Sequence, residues 1–165
     1  DAVVFADSND YTKGLRFAGR IAEQFKLVTG TWVAAGTLRS QLIAACAPYA
    51  RDVVVCGLNQ PYIAVMIWTN IDAAKEVTGS SQVEEQVQNT FLLTKVRDLL
   101  AAHNAESLAS SHRVARFVLL SDPPDIGAGE ITDKGYVNQG AVQHNRANVV
   151  DALFTADAPP QVVIV

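Results

Sequence analysis

Three nearly continuous apolar runs constrain this chain more than any other feature: Val53-Val54-Val55-Cys56, Tyr62-Ile63-Ala64-Val65-Met66-Ile67-Trp68 and Val114-Ala115-Arg116-Phe117-Val118-Leu119-Leu120. Each is short and rich in β-branched residues, and apolar side chains occupy consecutive rather than alternate positions. That is the pattern of buried strands. Gly57-Leu58-Asn59-Gln60-Pro61, with a breaker at each end, joins the first two as a hairpin.

Helices are predicted around these strands. Leu38, Leu42, Ile43 and Cys46 fall on one helical face, and Pro48 ends or kinks that helix near Tyr49. Residues 71–77 read as a short helix. Ser81-Gln82-Val83-Glu84 reads as a capping box opening one long helix, with Val83, Val87, Phe91, Leu92, Val96, Leu99 and Leu100 as its core stripe. A further short helix is expected over residues 105–110. Asn138 is placed to cap a last helix that buries Val142, Val149, Val150, Leu153 and Phe154.

Toward the N-terminus, Val3-Val4-Phe5 and the segment around Leu15 and Phe17 suggest a short β-ribbon, and Phe25-Lys26-Leu27-Val28 a further strand. The expected fold is α/β of the α+β type: a small mixed sheet of about three main strands with packed helices, plus that ribbon. Residues 1–155 form the expected domain, with 1–19 as ribbon leading into a hinge, and 156–165 reads as a tail around Pro159-Pro160.

The 165 residues, 49% hydrophobic and 18% charged, suffice for a core without staples. A net charge of −4 argues against nucleic acid and anionic membrane surfaces as partners. No apolar run reaches the roughly 18 residues of a membrane span. Cys46 and Cys56 lie in apolar segments without metal-ligand spacing, as buried thiols of a reducing cytoplasm do, and the three histidines are scattered, so no metal site is read. No phosphate-binding glycine loop, nucleophile elbow or Cys/His pairing occurs. Catalysis by this chain therefore implies a site built mainly elsewhere, and the chain is read as cut from a longer one.

Two stretches stand out for chemistry. Gly129-Glu130-Ile131-Thr132-Asp133-Lys134-Gly135-Tyr136-Val137-Asn138-Gln139 follows a buried strand and a Pro-rich loop. It sets a lysine beside a glycine, where an ammonium can reach a phosphate or carboxylate. Gly19-Arg20-Ile21-Ala22-Glu23-Gln24-Phe25-Lys26 lies far upstream and carries a second lysine.

In this order, the two stretches resemble the C-terminal domain of adenylate-forming enzymes, the superfamily of acyl-CoA synthetases, peptide-synthetase adenylation domains and luciferases. They are most similar to the feruloyl-CoA synthetase type: residues 19–33 resemble its hinge region and 129–139 its catalytic-lysine loop. The resemblance implies a lid domain, which rotates between formation of an acyl-adenylate from ATP and its conversion to a thioester by CoA. It implies Lys134 as the adenylation lysine and Lys26 as a second lysine for the alternative orientation. Arg20 and Ala22 would form the hinge, and Gly30 and Trp32 would lie along the CoA pantetheine. The family's hinge residue is usually Asp or Lys where Ala22 stands. Its general loop, Thr-x-x-Gly-Lys, aligned on Gly135, puts Tyr136 at the lysine's place, so the role falls to Lys134 or a neighbour.

ATP, CoA and Mg²⁺ would be bound mainly by an N-terminal adenylation domain, the implied partner. The substrate would be an aromatic or other hydrophobic carboxylic acid, and the isolated domain would be inactive. Arg20 serves equally well as a structural ion-pair partner. The alternatives are a non-catalytic α/β binding or regulatory module, and an adenylate-forming activity without CoA.

Overall fold

The computed structural model describes residues 3–17, 23–107 and 109–165. At its centre lie β5 (Ala50–Cys56), β6 (Ile63–Thr69), β7 (Val114–Leu120) and β8 (Val163–Ile164), in that spatial order. The β5–β6 and β7–β8 pairs are antiparallel and β6–β7 is parallel, so the sheet is mixed as expected. The parallel step is made by a crossover containing α2 (Ile71–Thr78), α3 (Val83–Gln88) and α4 (Thr90–Glu106).

Two core clusters explain the continuous apolar runs. Val53, Val55, Val65, Ile67, Phe117 and Leu119 pack with Leu38 and Leu42 of α1 (Ala35–Ala45) and with Leu92, Val96 and Leu100 of α4. Alternate residues Val54, Cys56, Met66, Trp68, Val118 and Leu120 pack with Val142 of α5 (Gln139–Asn145) and Leu153 of α6 (Ala147–Phe154). Helices cover both faces of the sheet, so both alternations of side chains are buried along its centre.

Two two-stranded ribbons complete the fold. β1 (Val3–Phe5) pairs with β2 (Leu15–Phe17), and β3 (Gln24–Lys26) with β4 (Trp32–Ala34). The first is the expected N-terminal ribbon. The β4 strand was not anticipated, because its three residues run directly into α1.

Five local expectations are corrected. The long helix is two: Asn89 interrupts it and caps α4, its side chain accepting from the Phe91 and Leu92 amides, and Phe91 turns outward beneath Lys95. Gln82, not Ser81, stands at the start of α3, and it makes no side-chain cap. Among the described residues of 105–110 there is no separate helix; α4 runs to Glu106 and turns follow. The last helix also breaks, at Arg146, and the expected tail returns Val163-Ile164 to the sheet beside β7.

Candidate functional site

Lys134 stands at the tip of a small hairpin over residues 131–137. Ile131 and Val137 form an antiparallel bridge, the Thr132 amide donates to Tyr136 O at 2.8 Å, and Gly135 N donates to Thr132 O at 2.8 Å. Gly135 has φ of 78°, a left-handed value that glycine adopts without strain, so the turn closes in four residues. The Lys134 side chain is exposed and pairs with no described residue. Tyr136, the other residue at the lysine position of the general pattern, is 63% exposed on the same hairpin.

The feet of this hairpin are held firmly. Glu130 is 2% exposed and receives Arg146 in a two-pronged pair, Nε to Oε1 at 3.0 Å and Nη2 to Oε2 at 2.9 Å. The Asp125 amide donates to Glu130 Oε2 at 2.8 Å, and the Asn138 amide donates to Glu130 O at 2.8 Å. Hydrogen bonding from Arg146 holds the Glu130 carboxyl below its usual range against the opposing effect of burial. The guanidinium also donates to the Asp122 and Pro123 carbonyls and lies over the Trp68 ring, 5.3 Å from its centroid. At the other foot, Asn138 caps α5 as expected, accepting from the Ala141 amide. Gln139 then reaches β5, accepting from Val55 N and donating to Val53 O, both at 2.9 Å.

Lys26 occupies a separate hairpin, β3–β4. Its Nζ sits 5.4 Å from the centroid of the Trp32 ring, which is the cross-strand neighbour in register and is 60% exposed. Gly30, with φ of 86°, forms the exposed connecting turn, where Leu27 N donates to Thr31 O and Gly30 N to Leu27 O. The hairpin is docked on the β5–β6 turn: Val28 N donates to Gln60 O at 3.0 Å and Asn59 N to Lys26 O at 2.9 Å. Gly57 permits this approach, because a Cβ there would stand 2.8 Å from Phe25 Cε2 and 3.2 Å from Leu27 Cδ2. The expected hinge residues Arg20 and Ala22 lie outside the described residues.

No protein-family model and no curated protein sequence matches the chain. Solved structures do match it. The fold is shared with adenylation domains of carboxylic acid reductases. One is the A domain of the enzyme from Segniliparus rugosus in complex with AMP and a co-purified carboxylic acid (22% identity, 86% of this chain and 21% of that one, TM-score 0.65). Another is the A-PCP didomain from the same organism in complex with AMP (20% identity, 93% of this chain and 20% of that one, TM-score 0.63). A third is the A domain of the Mycobacterium chelonae enzyme (16% identity, 86% and 21% coverage, TM-score 0.64). The chain thus spans about a fifth of the length of each carboxylic acid reductase chain it resembles.

Chemically, the two hairpins offer an exposed ammonium at Lys134 and an ammonium–indole pair at Lys26 and Trp32. Both suit anionic or nucleotide-like ligands approaching from outside. No cluster of three or more His, Cys, Asp or Glu side chains is arranged to hold a metal ion among the described residues. Burial pushes the Cys46 and Cys56 thiols up to about 12, so both stay protonated and inert at neutral pH. No helix among the described residues is long and apolar enough to cross a membrane.

Sequence reasoning missed the residues that hold the feet of the Lys134 hairpin. Glu130 and Gln139 lay inside the quoted loop, yet their partners are 16 and more than 80 residues away. The available signal for Glu130 was a carboxylate flanked by Gly129 and Ile131 after a proline loop, a setting that requires a cation if it is buried.

Proposed function

We propose that this chain is the C-terminal lid domain of an adenylate-forming enzyme that activates a carboxylic acid with ATP and passes the acyl group to a thiol. The observation that carries the reading is the exposed Lys134 ammonium, without a partner among the described residues, at the tip of a hairpin whose two feet are anchored. Such a charge is available to a ligand held by another domain. The shared fold with adenylation domains supports the same reading.

In the first half-reaction, a carboxylate oxygen of the acid attacks the α-phosphorus of ATP, the bond to the β-phosphate bridging oxygen breaks, and pyrophosphate leaves. Lys134 donates to the oxygens on which charge accumulates, presented there by a hairpin whose main chain is already anchored. In the second, the thiol sulfur attacks the acyl carbon, loses its proton, and AMP departs. Lys26, Gly30 and Trp32 form the face used then: Gly30 presents bare backbone to the pantetheine arm, and Trp32 and Lys26 flank it. The acceptor is CoA and the acid aromatic, of the feruloyl type or otherwise hydrophobic, with ATP, Mg²⁺ and acid seated mainly on an N-terminal partner domain in the cytoplasm.

A second reading keeps the adenylation chemistry and replaces CoA by a carrier-bound thiol. It is favoured by the A-PCP didomain among the structural neighbours.

The test unites this chain with its adenylation domain and measures acid-dependent pyrophosphate exchange and, separately, thioester formation with CoA across a panel of aromatic and fatty acids. Lys134→Ala is expected to lower exchange by about 100-fold or more, and Lys26→Ala to spare exchange while slowing thioester formation. Full exchange activity in Lys134→Ala would overturn the lysine assignment. Exchange without transfer to CoA favours the carrier thiol, and no exchange with any acid leaves the binding-module reading.

A further inference from the structure

Strand β5 is an edge of the central sheet, and an edge strand ordinarily presents unpaired N–H and C=O groups. On its outer side, the Gln139 side-chain amide takes the place of a neighbouring strand. It accepts from Val55 N and donates to Val53 O, each at 2.9 Å, reproducing the two-bond fork that a paired residue would make. Gln143, one turn later on α5, donates more weakly to Val55 O at 3.4 Å. The two glutamines share a strand and a helix but differ in one respect. Gln139 is joined to the Lys134 hairpin by a single residue, Asn138, whose own amide bonds Glu130 O across the hairpin base.

Hydrogen bonds, joined through the Asn138–Gln139 peptide, therefore link the sheet to the hairpin that carries the lysine. Val53 and Val55 hold Gln139; Asn138 N holds Glu130 O; Ile131 bridges Val137; Thr132 N holds Tyr136 O; and Gly135 N holds Thr132 O. The far end of α5 grips the other approach, with Asn145 Nδ2 donating to Ala128 O at 3.1 Å and Arg146 bonding Glu130. Helix α5 is thus fastened at both ends. Release of Gln139 leaves the Arg146 end in place, so the hairpin can pivot about it without the domain unfolding.

We infer that Gln139 is the positioning residue for Lys134: its amide fixes the hairpin on the β5 edge and so sets where the ammonium is presented. The inference rests on the adenylation role proposed for Lys134 only for its kinetic consequence. Its structural half stands alone. Both are tested with Gln139→Ala, Gln139→Asn (the same amide, one methylene too short) and the control Gln143→Ala.

The activity-independent readout is trypsin cleavage after Lys134 under native conditions, with global stability followed by thermal melting. Gln139→Ala and Gln139→Asn are expected to speed that cut about tenfold while leaving the melt close to wild type, because an edge-strand fork opens locally. Gln143→Ala is expected to leave the rate of that cut unchanged. In the enzyme united with its adenylation domain, Gln139→Ala is expected to lower kcat for pyrophosphate exchange about tenfold, with KM for ATP and acid unchanged. In the Lys134→Ala background it should have no further effect.

The inference is overturned if cleavage after Lys134 is no faster in Gln139→Ala than in Gln143→Ala. It is equally overturned if Gln139→Ala slows exchange as much with Lys134 absent as with it present. Should Lys134→Ala leave exchange intact while Gln139→Ala speeds the tryptic cut, the proposed adenylation role fails and the positioning of Lys134 stands.

Discussion

Replacing Glu130 by Ala tests the support beneath the lysine hairpin. In the native protein the carboxylate is 2% exposed and accepts three hydrogen bonds, two from Arg146 at 2.9 and 3.0 Å and one from the Asp125 amide at 2.8 Å. The Arg146 side chain is itself only 15% exposed, so truncation of Glu130 leaves a largely buried guanidinium without its counter-charge. Removal of one partner from such a pair costs about 3 kcal/mol. Two carbonyl acceptors, Asp122 and Pro123, and the Trp68 ring keep the figure toward the lower end of the usual range. For a domain of this size that is a loss of about 10 °C in Tm. A paired Glu130→Met/Arg146→Met variant should recover part of the loss, since no unpaired charge then remains buried.

The same pair makes a pH prediction with a definite sign. The folded-state carboxyl titrates below its unfolded value because Arg146 hydrogen-bonds its ionised form. Its contribution is therefore complete above the ordinary carboxylate range and is lost as pH falls through the lowered folded value. Urea denaturation of wild type and Glu130→Gln should diverge most near neutral pH and converge as the solution is acidified. A difference that is constant across that range, or under about 0.5 kcal/mol at neutral pH, would refute the ion pair as the support of the hairpin.

Two further outcomes follow from contacts elsewhere. Gly57→Ala drives a methyl to 2.8 Å from Phe25 Cε2 and 3.2 Å from Leu27 Cδ2, so the Phe25 ring must shift and the seat of the β3–β4 hairpin on the β5–β6 turn is disturbed. The expected cost is about 1–2 kcal/mol by urea denaturation, with thioester formation slowed and pyrophosphate exchange spared; equal loss of both would refute selective seating of Lys26. Asn89→Ala removes the side chain that accepts from Phe91 N at 3.0 Å and Leu92 N at 3.2 Å. It should destabilise the domain by about 1 kcal/mol in the same measurement, and an unchanged midpoint would refute the cap.

The central sheet was legible because its signal is carried by consecutive residues. Val53 to Cys56, Tyr62 to Trp68 and Val114 to Leu120 are apolar on both faces, and the two core clusters show why. The break at Asn89 was hidden by an apolar stripe that continues in helical phase from Val83 and Val87 to Phe91, although Phe91 faces solvent. An Asn followed by Thr and Phe is a capping signal, but hydrophobic period alone does not weigh it. The β4 strand was hidden for the opposite reason: Trp32-Val33-Ala34 is too short to show a period before α1 begins. The closing strand β8 lies in a visible apolar run, Val162 to Val165, whose partner is nearly fifty residues away in Arg116 and Phe117. Local reading does not reach that far.

The lysines divide along the same line. Their residue type and neighbouring glycines are local, so the sequence marks them. Their orientation depends on bonds that local reading does not join. An ammonium with no partner among the described residues, as at Lys134, takes its aim from the backbone that carries it. The anchors around Lys134 obey this requirement: Gln139 grips main-chain atoms of β5, and Arg146 grips main-chain carbonyls together with a buried carboxylate four residues before the lysine. Lys26 is treated likewise, its carbonyl held by Asn59 while its side chain rests against Trp32. In both hairpins the fold restrains the main chain and leaves the charge free, and an adenylate-forming lid that presents its lysines to another domain would need that division.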